Sequence, residues 1–98
     1  MELSELTKKA KQIKEKYRAV NKKPWGIAEY TQGFVGDVGD LVKLIMARNG
    51  LRNADNIDEK LAHELSDCLW SIIVIADELG IDLEKSFIKT MEDIDKKI

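Results

Sequence analysis

The chain has 98 residues, 44% of them hydrophobic and 35% charged, and its 18 acidic and 16 basic side chains leave a net charge of −2. That size predicts one domain over residues 1–98. The charges alternate without a basic stripe, which excludes nucleic acid gripped by its phosphates and an anionic membrane surface, and no run reaches the roughly 18 apolar residues of a membrane span.

The first residues, Met-Glu-Leu-Ser-Glu-Leu, lack the basic and then apolar regions of a signal peptide. The single cysteine, Cys68, has no internal disulfide partner and sits among Leu65, Leu69 and Ile72, so it reads as a small buried residue. Both features predict a cytoplasmic protein.

Leu3, Leu6, Ala10, Ile13, Tyr17 and Val20 step by three and four, which predicts a first helix with one narrow apolar stripe that covers a core. Pro24 suits the first turn of a second helix running to about Arg48 and stopped by Asn49-Gly50. The polar run Arg52 to Asn56 reads as a loop, and Asn56 with Glu59 has the spacing of a capping box for a third helix that ends at Gly80. Asp82 opens a last helix to the C-terminus. With no strand alternation, repeat or low-complexity linker, the fold class is all-α, a four-helix bundle.

Two acid pairs at a spacing of three, Asp37 with Asp40 and Glu64 with Asp67, fall inside the most apolar stretches of helices two and three. An ionised carboxylate is costly to bury unless it is paired or coordinates a metal. On a helical wheel Leu61, Leu65, Cys68, Ile72, Ile75 and Leu79 share one side of helix three, flanked by Glu64 and Asp67, while Asp37 lies between the rows of Tyr30, Leu41 and Leu44 with Asp40 one step outward. Neither pair has an obvious basic residue one turn away on its face. If the two helices are antiparallel neighbours, the four carboxylates can form one cage, and all-oxygen ligation suits Mg²⁺ or Mn²⁺. The bland alternative is a set of surface acids or salt-bridge partners, since acids at such spacing are common in this chain, as Glu92 and Asp95 show. His63, the only histidine, falls on the polar side and reads as solvated, and no Glu-x-x-His motif of a di-iron centre occurs.

Gly33, Gly36 and Gly39 each cost roughly 1 kcal/mol against alanine inside a helix, so a close neighbour or ligand is expected to compensate. A phosphate-cradling loop is the weaker reading, since no Gly-Lys-Ser/Thr follows. Trp25 and Phe34 read as core aromatics.

The stretch Val35-Gly36-Asp37-Val38-Gly39-Asp40-Leu41, followed by His63-Glu64-Leu65-Ser66-Asp67-Cys68-Leu69-Trp70, resembles the Glu-x-x-Glu and Glu-x-x-Asp signature of the MazG-like nucleotide pyrophosphohydrolases, within the all-α NTP pyrophosphatase superfamily. The resemblance runs along nearly the whole chain in helix order and length. It implies Mg²⁺-dependent hydrolysis of a nucleoside triphosphate between its α and β phosphates, giving a monophosphate and pyrophosphate. It also implies that Asp37, Asp40, Glu64 and Asp67 hold the metal and that Glu64 serves in catalysis. Lys89, Asp93 and Lys96 occupy the places of the family's Lys-x-x-x-Asn-x-x-Arg pattern that reaches substrate phosphates, and only Lys89 is identical. Asp37 and Asp40 stand where the family usually has glutamates one methylene longer, and Gly36 stands where a further glutamate often precedes them.

Trp70, Ile73 and Val74 make helix three apolar nearly all round, so one small bundle leaves apolar surface uncovered. A homo-oligomer is expected, and the resemblance implies a homodimer or homotetramer. The competing reading is a catalytically degenerate helical module that binds nucleotide or protein without hydrolysis.

Overall fold

Four helices account for most of residues 2–21, 23–51 and 56–98, which the computed structural model describes. They are α1 (Leu3–Val20), α2 (Ile27–Met46), α3 (Ile57–Glu78) and α4 (Leu83–Lys97), and no strand occurs among the described residues. The all-α expectation therefore holds. No helix among the described residues is long and apolar enough to cross a membrane.

Helix ends depart from the sequence reading in two places. Pro24 stands outside α2, whose N-cap is Gly26 in extended conformation. Asn56 precedes α3 in the left-handed region (φ 59°, ψ 32°) and caps nothing with its side chain, so the capping box with Glu59 does not form. That cap requires extended backbone at the N-cap residue, and Asn56 is one of the few residue types that accept the left-handed region instead. The remainder of the expected loop, residues 52–55, lies outside the described residues.

The other ends follow their chemistry. α2 widens into a π-type turn over Ala47–Leu51 and leaves helical geometry at Asn49 and Gly50, where Gly50 reaches φ 118°. α3 closes on a Schellman motif: Ile81 N–H donates to the Ala76 carbonyl at 2.9 Å and Gly80 N–H to that of Asp77 at 3.1 Å. Gly80 sits at φ 68°. Gly80→Ala is expected to cost about 1–2 kcal/mol by forcing a β-carbon into that region, a fall of about 5–10 °C in a thermal melt. The Asp82 carboxylate accepts from Lys85 N–H at 3.1 Å and caps α4.

α3 is the axis of the fold. α2 lies antiparallel to it, with Asp37 opposite Ser71 and Arg48 paired to Asp58 at 2.9 Å. α1 crosses another side of α3. There the Trp70 indole N–H donates to the Ala10 carbonyl at 3.3 Å, and Lys14 is buried against Asp77 and Glu78. An edge-to-face series of rings, Tyr17, Trp70, Tyr30 and Trp25, with centroids 5.7–6.2 Å apart, joins α1, α3, α2 and the segment before α2.

These neighbours decide which side of α3 is core. Leu61, Cys68, Ile73, Val74 and Ala76 are buried. Leu65, Ile72 and Leu79, expected in the same stripe as Leu61, are exposed, Leu65 to 56%. Ile73 and Val74, expected to lie away from that stripe, belong to the core because α1 and the turn before α4 cover that side. In α1 the buried residues are Ala10 and Lys14, whereas Ile13, Tyr17 and Val20 are exposed.

The glycines of α2 are not all crowded. A β-carbon at Gly33 would meet the Trp25 ring at 3.6 Å, an ordinary contact, and one at Gly36 or Gly39 would meet nothing within 4 Å. Among the described residues no neighbour compensates for those two.

Candidate metal centre

Antiparallel packing of α2 on α3 places residue 37 level with the turn that carries residues 64 and 67. One carboxylate oxygen from each of Asp37, Glu64 and Asp67 lies within 4.8 Å of the other two, and all three residues are half-buried. Local helix geometry explains the pair on α3, since residues three apart project from one side about a turn apart. The third acid comes from the neighbouring helix.

Glu64 Oε2 is buried and has no hydrogen-bond partner among the described residues. A buried carboxylate oxygen without a donor carries its full desolvation penalty, which a cation relieves. Burial first, and then the negative charges of Asp67, Asp40 and Asp37, push the Glu64 carboxyl above the ordinary carboxylate range, with His63 pulling weakly the other way. Among the described residues no lysine or arginine forms a salt bridge with these acids. The donor set is all oxygen, so the residues fit a hard divalent cation such as Mg²⁺ or Mn²⁺.

Ser71, which the sequence reading passes over, and His63, which it takes as solvated, hold the acids in place. Ser71 is buried and its hydroxyl donates to Asp37 Oδ2 at 3.3 Å. Its signal was available: Leu61, Glu64, Cys68, Ser71 and Ile75 form the row of α3 that meets α2, so a serine there needs a polar partner. His63 is exposed, as expected, yet its Nε2 lies 3.2 Å from Asp67 Oδ2. It is the basic neighbour, one turn before Asp67, that the acid pair was expected to lack.

Asp40 is exposed and is not among the three converging acids. It lines an open cleft of about 460 Å³ together with Lys43, Leu44, Glu59, Lys60, His63 and Glu64. On the other side of His63, a cavity of about 510 Å³ is bounded by Ile13, Tyr17, Asp37, Ser66, Asp67 and Trp70. Each is within the range of small-molecule sites. Together they flank the carboxylates with lysine ammoniums on one side and aromatic rings on the other.

Lys89, Asp93 and Lys96 lie exposed on α4, a helix with no buried residue. None of them lines either cavity, and neither lysine pairs with an acid among the described residues. Cys68 is buried as expected, and burial, followed by the charges of Asp37, Glu64 and Asp67, raises its thiol pKa, so it is a poor nucleophile. Trp25 and Phe34, expected in the core, are not buried: Trp25 is exposed and Phe34 half-buried.

Comparisons of the chain with protein-family models, with curated proteins and with solved structures return no match.

Proposed function

We propose that this chain is a MazG-like nucleotide pyrophosphohydrolase, which uses Mg²⁺ or Mn²⁺ to cleave a nucleoside triphosphate to a monophosphate and pyrophosphate and acts as an oligomer. The observation that carries the reading is the buried, unpartnered Glu64 Oε2 facing Asp37 and Asp67. Asp37, Glu64 and Asp67 hold the metal, with Asp40 at the rim of the cleft. When bound, the cation neutralises the carboxylates and stabilises charge that develops on phosphate oxygens.

The protein's own groups do the rest. Glu64 orients the attacking water and accepts its proton. Ser71 fixes the Asp37 carboxylate and His63 that of Asp67, much as outer-shell partners orient ligands at other metal sites. Lys43 and Lys60 border the cleft and offset the charge of the polyphosphate. Tyr17 and Trp70 supply aromatic faces beside Asp37 and Asp67 against which a base can stack. Lys89, Asp93 and Lys96 stand apart from the acids within one protomer, so the phosphate role falls to Lys43 and Lys60.

One observation favours the degenerate module instead: three acids converge, and Asp40 stands off. A single assay separates the two readings. The purified chain is incubated with each NTP and dNTP plus Mg²⁺ or Mn²⁺, and pyrophosphate is measured. Release from at least one nucleotide, lost on chelation and in Asp67→Asn, is expected. No release from any of them, or release unchanged in Asp67→Asn, overturns the enzyme.

A further inference from the structure

We infer that Asn49 is a modification site, where the backbone of Gly50 converts the asparagine to aspartate and isoaspartate without help from an enzyme. Asn49-Gly50 is the one asparagine-glycine step in the chain, since Asn21, Asn53 and Asn56 are followed by Lys22, Ala54 and Ile57. That difference decides which asparagine reacts. The backbone nitrogen of the following residue must reach the side-chain carbonyl, and a side chain on that residue obstructs the approach, whereas glycine has none.

The fold puts the pair where the reaction can run. In a helix interior the N–H is held by the carbonyl four residues earlier and ψ is fixed near about −42°. Asn49 has left that geometry at φ −77° and ψ 19°, and Gly50 follows at φ 118°. Both residues are exposed. Their surroundings are open as well, for a β-carbon on Gly50 would meet nothing within 4 Å. Ring closure needs a further rotation about ψ of Asn49, and the frayed end of a helix allows it at small cost. The glycine that lets α2 stop is thus the one that makes its neighbour reactive.

The step balances with water as the only co-reactant. The Gly50 nitrogen gives up its proton to base and attacks Cγ of Asn49; the N–Cγ bond forms, the Cγ–Nδ2 bond breaks, and the amide leaves as ammonia, taking up a proton in turn. Water then opens the succinimide. Cleavage of the N–Cγ bond leaves aspartate in the original chain, while cleavage at the main-chain carbonyl leaves isoaspartate, whose backbone runs through Cβ and Cγ.

Either product places a negative charge at the C-terminal end of α2, where the helix dipole already presents its negative pole. Arg48 holds Asp58 of α3 there at 2.9 Å, and a new carboxylate one residue away competes for the same guanidinium. Isoaspartate also lengthens the main chain just before Gly50, so the turn that ends α2 no longer fits. Ageing at this position therefore loosens the helix that carries Asp37.

Peptide mapping tests the chemistry, and thermal melts test its consequence. The full chain is aged in mildly alkaline buffer and cut before its aspartates, which gives a peptide from Asp40 to Ala54 whose fragments separate Asn49 from Asn53. The mass gain of an NH₂ replaced by OH is expected at Asn49 at least about tenfold faster than at the other three asparagines, the ratio that a barrier lower by about 1.4 kcal/mol gives. Asn49→Asp is expected to melt about 2–5 °C below wild type. Aged wild type is expected to lose melting temperature as conversion proceeds, and Asn49→Gln, whose longer side chain would have to close a six-membered ring, is expected to keep it. Conversion of Asn49 no faster than of the others overturns the inference. An aged Asn49→Gln protein that loses as much as aged wild type overturns the loosening of α2; should that variant fail to fold, the wild-type peptide map and the Asn49→Asp melt decide. No readout here is turnover, so a chain without pyrophosphatase activity would remove the proposed function and leave this inference standing.

Discussion

Glu64→Gln is expected to reduce metal-dependent pyrophosphate release by at least about 100-fold while leaving the fold intact or firmer. Loss of outer-shell partners alone costs 10- to 100-fold at metal sites, and loss of one electrostatic stabiliser of a transition state about 100- to 1,000-fold. Glu64 combines a ligand oxygen with the water-orienting role, so its removal falls at the upper end. The stability effect runs the other way. Glu64 Oε2 is buried without a donor, and Asp37, Asp40 and Asp67 all disfavour its ionised form. An amide removes the charge and can donate to those acids. In chelator, the variant is therefore expected to melt at or above the wild-type temperature.

Adding the metal reverses that order. A cation present at about 100 times its dissociation constant stabilises the folded state by about 2.7 kcal/mol, equivalent to roughly 10 °C or more for a domain of this size. Wild type is expected to gain that shift with Mg²⁺ or Mn²⁺, and Glu64→Gln to gain little of it. Thermal melts with and without metal, beside the pyrophosphate assay, check both halves. A variant that remains active, or that is less stable than wild type in chelator, removes Glu64 from the site.

Lys14→Met is expected to lower stability by about 2–3 kcal/mol, or 10–15 °C in melting temperature. Lys14 is 5% exposed, and its ammonium lies 2.9 Å from Asp77 Oδ2 and 2.6 Å from Glu78 Oε1. Loss of one partner from a buried charge pair strands the other, at a cost of about 3–5 kcal/mol. The effect is smaller here because Lys11 still reaches Asp77 at 3.1 Å and Arg18 still reaches Glu78 at 3.0 Å.

The same contacts give the stability a pH dependence of known sign. Burial alone would raise the Asp77 pKa, but Lys14 and Lys11 outweigh it and hold the carboxyl below its ordinary 3.8. Its contribution is thus complete above pH 3.8 and is lost as the pH falls through the lower folded value. Burial alone would lower the Lys14 pKa, but Glu78 and Asp77 outweigh it and hold the ammonium above its ordinary 10.5. That contribution is complete below pH 10.5 and is lost as the pH rises through the higher folded value. Lys14→Met is expected to flatten the acid limb of a plot of melting temperature against pH and to remove the Lys14 share of the alkaline limb. An unchanged profile would show that the buried ions contribute nothing.

Much of the site was legible before any fold existed. Glu64 and Asp67 are three apart on one helix, and that spacing alone places them on one face. Asp37 could be added only on the condition that helices two and three pack antiparallel, which they do. Asp40 meets the same pattern and still stands outside the converging three, exposed at the rim of the cleft, since which member of a pair reaches the other helix depends on how α2 and α3 pack. Ser71 goes unnoticed and His63 reads only as solvated, because a hydroxyl or an imidazole has meaning only beside the carboxylate that it meets.

The sequence by itself determined the elements: four helices, their order, the glycine stops at Gly50 and Gly80, the Asp82 cap, and acids at the margins of apolar rows. Each follows from forces that act within a few residues, namely backbone sterics, capping and the helical repeat. Only the tertiary structure decided which apolar row became core. Leu65 and Ile72 match Leu61 and Cys68 in character and period, yet α2 and α1 approach from other sides and leave them bare. Hydrophobic burial has no direction of its own, so a helix that is apolar nearly all round does not specify which neighbour covers which side. That choice depends on where the other helices lie, and it also brings Asp37 to Glu64 and Asp67.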